Sequence, residues 1–203
     1  MLKQTLKKII GRNFVFKIKL FYSQKSGSYF TNKPLGQKED YIKLYNNFLE
    51  KIKKKSFVND YFTDEDIKFI NKLALKTQVV KKDSEINWIH GFVILKTLRE
   101  YLQKNKLAKI VILETGTAAG FSSVIMSYAL KLQKKNYEIF TIDILPHEKK
   151  IYWNRISDHL VGKTSRKEML NEYSEFLHNI EFINDVSKNF FKSKPFFDRI
   201  NFA

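Results

Sequence analysis

The residues best suited to chemistry lie in one short stretch, Val111–Ser123 (VILETGTAAGFSS), and in the acid Asp143 beyond it. The continuous apolar run Ile110–Leu113 predicts a parallel strand covered on both faces. It ends on an acid, Glu114, and enters a turn carrying Gly116 and Gly120 before a helical stretch over 121–132. Gly116 would let the backbone approach a ligand closely, and Gly120 would let the helix start tight against the strand. The unpaired N–H groups of that helix start, with the hydroxyls of Thr117, Ser122 and Ser123, suit a carboxylate or phosphate. A second run, Ile139–Ile142, predicts another strand that ends in Asp143, 29 residues after Glu114. A carboxylate there can accept hydrogen bonds from both hydroxyls of a ribose, each worth roughly 1.5–3 kcal/mol. The plainer alternatives are a loop or capping acid at Asp143 and simple punctuation at the glycines. The ordered pair says more than either part.

Three nucleotide cofactors compete for such a turn. A phosphate-binding loop of the Walker type needs Gly-Lys-Ser/Thr, and here Phe121 precedes Ser122. The dinucleotide fingerprint needs G-x-G-x-x-G, whereas Thr-Ala-Ala separates Gly116 from Gly120. An acid two residues before the first glycine also sets negative charge beside a pyrophosphate. It suits S-adenosylmethionine (SAM), which carries an ammonium group and a cationic sulfonium.

Glu114-Thr-Gly116-Thr-Ala-Ala-Gly120-Phe-Ser122 resembles the first motif of class I SAM-dependent methyltransferases, particularly the E-x-G-T-x-x-G-x-S form of the O-methyltransferase branch. Thr141-Ile142-Asp143-Ile144 resembles the family's ribose-binding motif, and Asp185 lies where the family places an adenine-side acid. The resemblance covers about residues 89–203 and implies a cofactor site of Glu114, Gly116, Thr117, Gly120, Ser122, Asp143 and Asp185. It implies methyl transfer to an oxygen of a small-molecule acceptor, and leaves the catalytic residues unassigned. A fourth strand in that branch ends in an acid that binds a metal or orients the acceptor. Ligands for a divalent metal would therefore lie beyond Ala203, and the chain reads as a C-terminally truncated fragment.

The elements that must position these residues follow from hydrophobic period. Leu2, Leu6, Ile9 and Ile10 predict a short basic amphipathic helix, 14–22 a strand, and 23–38 a loop. A helix from Asp40 places Ile42, Tyr45, Leu49 and Ile52 on one face. Thr63 and the acids Asp64, Glu65 and Asp66 form an N-terminal cap for a helix using Ile67, Ile70, Leu73 and Ala74. A helix over about 87–103 buries Ile89, Phe92, Val93, Leu95, Leu98 and Leu102; the one after Gly120 buries Val124, Ile125, Tyr128, Ala129 and Leu132. Helices near 148–160 and 165–178 lead to a third strand, Ile180–Ile183, and 198–203 begins a fourth. Alternating strand and helix predicts an α/β, Rossmann-like doubly wound sheet, incomplete at three to four strands. Residues 1–60 form a basic, helical N-terminal extension, and 61–203 the N-terminal part of the SAM-binding domain.

Composition removes several other classes. With no cysteine there is no disulfide, thiolate metal site or cysteine nucleophile. No apolar run reaches the ~18–20 residues of a membrane span, and we expect a cytoplasmic protein. The net charge of +16 invites nucleic acid, but only five of the 37 basic residues are arginine, the side chain that forks onto phosphate. The Lys, Ile, Asn, Phe and Tyr richness matches an AT-rich coding bias. Residues 1–60 alone carry 14 Lys/Arg against four acids, so a basic module binding nucleic acid or an anionic surface stays open beside a nicotinamide-binding Rossmann protein. A homo-oligomer also stays open. Of four histidines, His147 lies nearest the expected crevice, and His90, His159 and His178 read as packing or surface residues.

Overall fold

The computed structural model describes residues 33–82, 84–193 and 200–202. The helix expected at 2–10, the strand at 14–22 and most of the following loop fall outside the described residues. The first helix, α1, spans Lys38–Lys53 and buries Tyr41, Phe48 and Ile52. Its inward face is thus turned from the expected one, and Ile42 is exposed. A short α2, Ser56–Tyr61, leads to α3, Asp64–Thr77. Thr63 starts α3 as expected: its hydroxyl accepts from the Asp66 N–H, and the Asp66 carboxylate accepts from the Thr63 N–H, both at 3.2 Å. Tyr41, Phe48, Ile52 and Val58 join the same core as the sheet, so the described part of the basic extension is packed into the body of the fold.

Helix α4, Ile89–Lys104, and helix α5, Phe121–Leu132, flank the strand β1, Lys109–Thr115. They meet at Gly91, where an added Cβ would lie 2.6 Å from Phe121 Cζ. A helical glycine costs about 1 kcal/mol against alanine, and here it permits that close approach. Two expected core positions face out instead, Val93 at 50% and Leu132 at 51% exposure. Val93 lies on the opposite side of α4 from Gly91, Leu95, Leu98 and Leu102, and Leu132 is the last residue of α5.

Strands β2, Asn136–Asp143, and β3, Ile180–Asn184, continue the sheet in parallel, in the order β1-β2-β3. Residues 200–202 join the opposite edge of β1. Phe202 bridges Ile112 in parallel, and Asn201 N–H donates to Val111 O at 2.9 Å. The sheet therefore grows in both directions from β1, a Rossmann-like α/β order, and in open sheets of this kind such a reversal marks the ligand crevice, at the carboxyl end of that strand. Both faces are covered, as the continuous apolar runs require. Ile110, Ile112 and Ile139 face the α4–α5 side. Leu113 and Ile142 meet Phe190 of α8, Ser187–Ser193, on the other.

The crossover from β2 to β3 departs from expectation. In place of two long helices it holds α6, Ser157–Leu160, α7, Arg166–Met169, and a 3-10 segment, Asn171–Phe176. The Asp158 carboxylate draws in the N–H groups of Trp153 and Arg155, and Ile151 pairs antiparallel with Thr164. These local bonds replace the helical i→i+4 pattern, and Trp153 becomes the anchor of a small satellite core with Ala119, Leu145, Ile151 and Met169.

Candidate cofactor site

Period-two alternation puts Glu114 on the same face as Ile110 and Ile112, and the register sets it opposite Thr141. Its Oε2 accepts from Thr141 Oγ1 at 2.6 Å and from the Ser123 hydroxyl of α5. Thr117, buried, continues the chain of hydroxyls at 2.5 Å from Thr141 Oγ1. Burial pushes the Glu114 carboxyl above its ordinary range. The bonds from Ser123 and Thr141 and the charge of Arg166 pull it back only in part, while Asp143 adds to the rise.

The glycine turn bends through left-handed backbone, at Gly116 with φ 87° and Gly120 with φ 89°. Gly116 N–H donates to Ile142 O at 2.8 Å, and an added Cβ would meet nothing within 4 Å, so this bend faces open space. Gly120 starts α5, where an added Cβ would lie 2.8 Å from Leu170 Cδ1. Between them Ala118 also adopts a positive φ, 47°, a conformation costing a non-glycine residue roughly 1–2 kcal/mol.

Asp143 ends β2, half-buried. Its Oδ2 accepts from Ala118 N–H at 2.6 Å and its Oδ1 from Leu145 N–H at 2.8 Å. It is a loop-organising acid here, and each carboxylate oxygen keeps capacity for a further donor. Glu114 and Asp143 thus stand at the carboxyl ends of neighbouring strands with the glycine turn over them. Asp185 follows β3: its N–H donates to Asp143 O at 3.0 Å, and its Oδ1 accepts from Val186 N–H at 2.6 Å. Ser122 is half-buried in the first turn of α5, and its neighbour Ser123 holds Glu114.

Sequence reasoning passed over Arg166. Only 2% exposed, it reaches in from α7 and lies 5.7 Å from the Trp153 ring centre and 5.6 Å from that of Phe182. Burial lowers its guanidinium to about 10, with the charges of Asp143 and Glu114 opposing that shift. One signal was available: in a chain that writes Lys 32 times, each of five arginines is a place to look for a fork. His147 stacks on Phe182 with ring centres 4.1 Å apart, and its Nδ1 is buried without a partner. Burial, aided by the Arg166 charge, lowers it to about 4, so the ring is neutral near pH 7.

Among the described residues no three His, Cys, Asp or Glu side chains are grouped to hold a metal ion, and no helix is long and apolar enough to cross a membrane. Two cavities, of 440 and 280 Å³, lie elsewhere, one between α1 and residues 80–86 and one between α3 and 156–169.

No protein-family model matches the chain, and no curated protein matches it. Among solved structures it is similar to an S-adenosylhomocysteine (SAH)-bound methyltransferase from Podospora anserina, at 13% identity and TM-score 0.34, over 91% of this chain and 54% of that one. It is also similar to a coclaurine N-methyltransferase bound to N-methylheliamine and SAH, at 15% identity and TM-score 0.29, over 91% of this chain and 49% of that one. The chain spans about half the length of each. Likeness this loose assigns no role to any residue here.

Proposed function

We propose that this chain binds SAM and belongs to a methyltransferase acting on an oxygen of a small-molecule acceptor. The observation that carries the reading is the pair of carboxylates, Glu114 and Asp143, at the ends of adjacent parallel strands where the sheet order reverses. Gly116 between them faces open space. The donor set fits the cofactor: acids for a cation and for ribose hydroxyls, and open backbone where an amino-acid end would lie. The oxygen acceptor rests on the likeness of the glycine motif to the O-methyltransferase branch.

In this reading Asp143 accepts the ribose hydroxyls, and Glu114 faces the ammonium region directly or through backbone and water. Gly116, Thr117 and Ser122 border the amino-acid end, Gly120 sets the start of α5, and Asp185 lies on the adenine side. The Thr117 hydroxyl is already engaged with Thr141, so Thr117 contributes through its backbone. Once bound, SAM would supply a methyl group on a sulfonium, whose in-line transfer leaves a neutral thioether. The chain's part is alignment and exclusion of water.

Calorimetric titration of SAM and SAH into the 203-residue protein tests this. Saturable binding weakened about tenfold or more by Asp143→Ala supports it. No binding, indifference to that change, or preference for NADH overturns it.

A further inference from the structure

Ala118 and Leu145 are each held from two sides. Asp143 accepts both of their N–H groups, at 2.6 and 2.8 Å. Arg166 donates to both of their carbonyls, through Nε to Ala118 O at 2.8 Å and through Nη2 to Leu145 O at 3.2 Å. Those two residues lie in the loops that follow β1 and β2, the walls of the crevice. The carboxylate comes from one wall and the guanidinium from the distant crossover, planted by the capped turn Ser165–Glu168 and by Trp153 and Phe182 on either side.

The chemistry needs the planar fork of an arginine. Two carbonyls on separate loops demand two donors at a fixed spacing, which a lysine ammonium does not supply. The left-handed Ala118 also needs an outside restraint, since its own backbone preference opposes that bend. A ligand that competes for Asp143 would remove one side of this clasp, and Arg166 keeps the other.

We propose that Arg166 is the positioning residue of this crevice. It locks the two loops into a ligand-ready arrangement and tempers the negative charge that Glu114 and Asp143 present to a cationic ligand. The proposal rests on the SAM reading for the identity of that ligand. The clasp itself does not depend on it. A charge near the site acts differently on the sulfonium of SAM and the neutral thioether of SAH. Removing Arg166 therefore relieves a repulsion felt by SAM alone, while loosening the loops for both.

The test compares the wild-type protein with Arg166→Met and Arg166→Lys, each first checked for folding by circular dichroism. Without ligand, Arg166→Met should speed amide exchange at Ala118 and Leu145 about tenfold, with strand amides unmoved. Titrated with SAM and SAH, it should lose about tenfold in affinity overall, and the SAM-to-SAH affinity ratio should rise about threefold. Arg166→Lys keeps the charge without the fork, so its exchange should speed up while its ratio stays at the wild-type value. Unchanged exchange overturns the clasp, and an unchanged ratio in Arg166→Met overturns the charge role. Wild-type protein that binds neither ligand overturns the SAM reading, and exchange alone then decides the clasp. If the Met variant does not fold, Arg166→Gln takes its place with the same readouts.

Discussion

Asp66 and Arg99 face each other as a closed fork, with both bonds at 2.7 Å, and Tyr128 Oη adds a third donor at 2.8 Å. Arg166, more deeply set than Arg99, turns its donors to two carbonyls and leaves Glu114 and Asp143 to neighbouring hydroxyls and amides. The titration behaviour follows the geometry. Burial would raise Asp66, but the hydrogen bonds from Arg99 and Tyr128 outweigh it and hold the carboxyl below its usual range. At Glu114 burial wins and the carboxyl stays high. A charge cluster that saturates itself supports a fold; one whose acids are left short of cationic partners has something to offer a ligand.

The contrast can be broken most sharply at Asp66. Asp66→Ala strands a half-buried guanidinium and a buried phenol and removes the capping carboxylate of α3, and should cost about 3 kcal/mol in urea denaturation at pH 7. The wild-type contribution is present above the ordinary carboxylate range and fades as pH falls through the depressed folded value, so the gap between variant and wild type should close in acid. A loss that persists unchanged at low pH would contradict the closed-fork account.

Gly120→Ala comes next, at about 2 kcal/mol, because φ is positive and the new Cβ meets Leu170. Gly116→Ala shares the strained φ but meets no neighbour, so it should cost less. Equal losses would refute the distinction between a packed glycine and one facing a crevice. Asp143→Ala should change SAM affinity about tenfold, or about 1.4 kcal/mol, while Asp66→Ala, in protein still folded, leaves that affinity unchanged.

The smallest effect belongs to Glu114→Gln. The raised carboxyl means folding favours the protonated form. That contribution is complete below the ordinary glutamate range and lost as pH rises through the folded value. At pH 7 the Gln variant should therefore match or exceed wild-type stability, with the wild type gaining on it as pH falls. Paired denaturation at pH 7 and pH 5 reads the sign. A variant less stable at pH 7 would mean that Glu114 is already compensated.

Much of this was legible in the chain itself. The apolar runs at 110–113 and 139–142 announced two strands, because a doubly covered strand tolerates almost nothing polar, while 180–183, broken by the exposed Glu181, read as a third from its place after the helical stretches. Thr63 and Asp66 announced a helix start through local hydrogen bonding alone. The 148–178 crossover was not legible, since the Asp158 carboxylate and the Ile151–Thr164 pairing act through contacts that a periodic pattern does not encode.

The sequence by itself placed Glu114 and Asp143 at the ends of two strands and Gly116 and Gly120 in the turn before a helix, because acid and glycine at strand ends have backbone consequences within a few residues. Only the tertiary structure decided that residues 200–202 return to the far edge of β1, so that the strand order reverses there. It alone also brought Arg166, 48 residues from Ala118, into the same turn. Strand order and long-range side-chain donors depend on packing between distant segments, and hydrophobic period says nothing about which distant segments will meet.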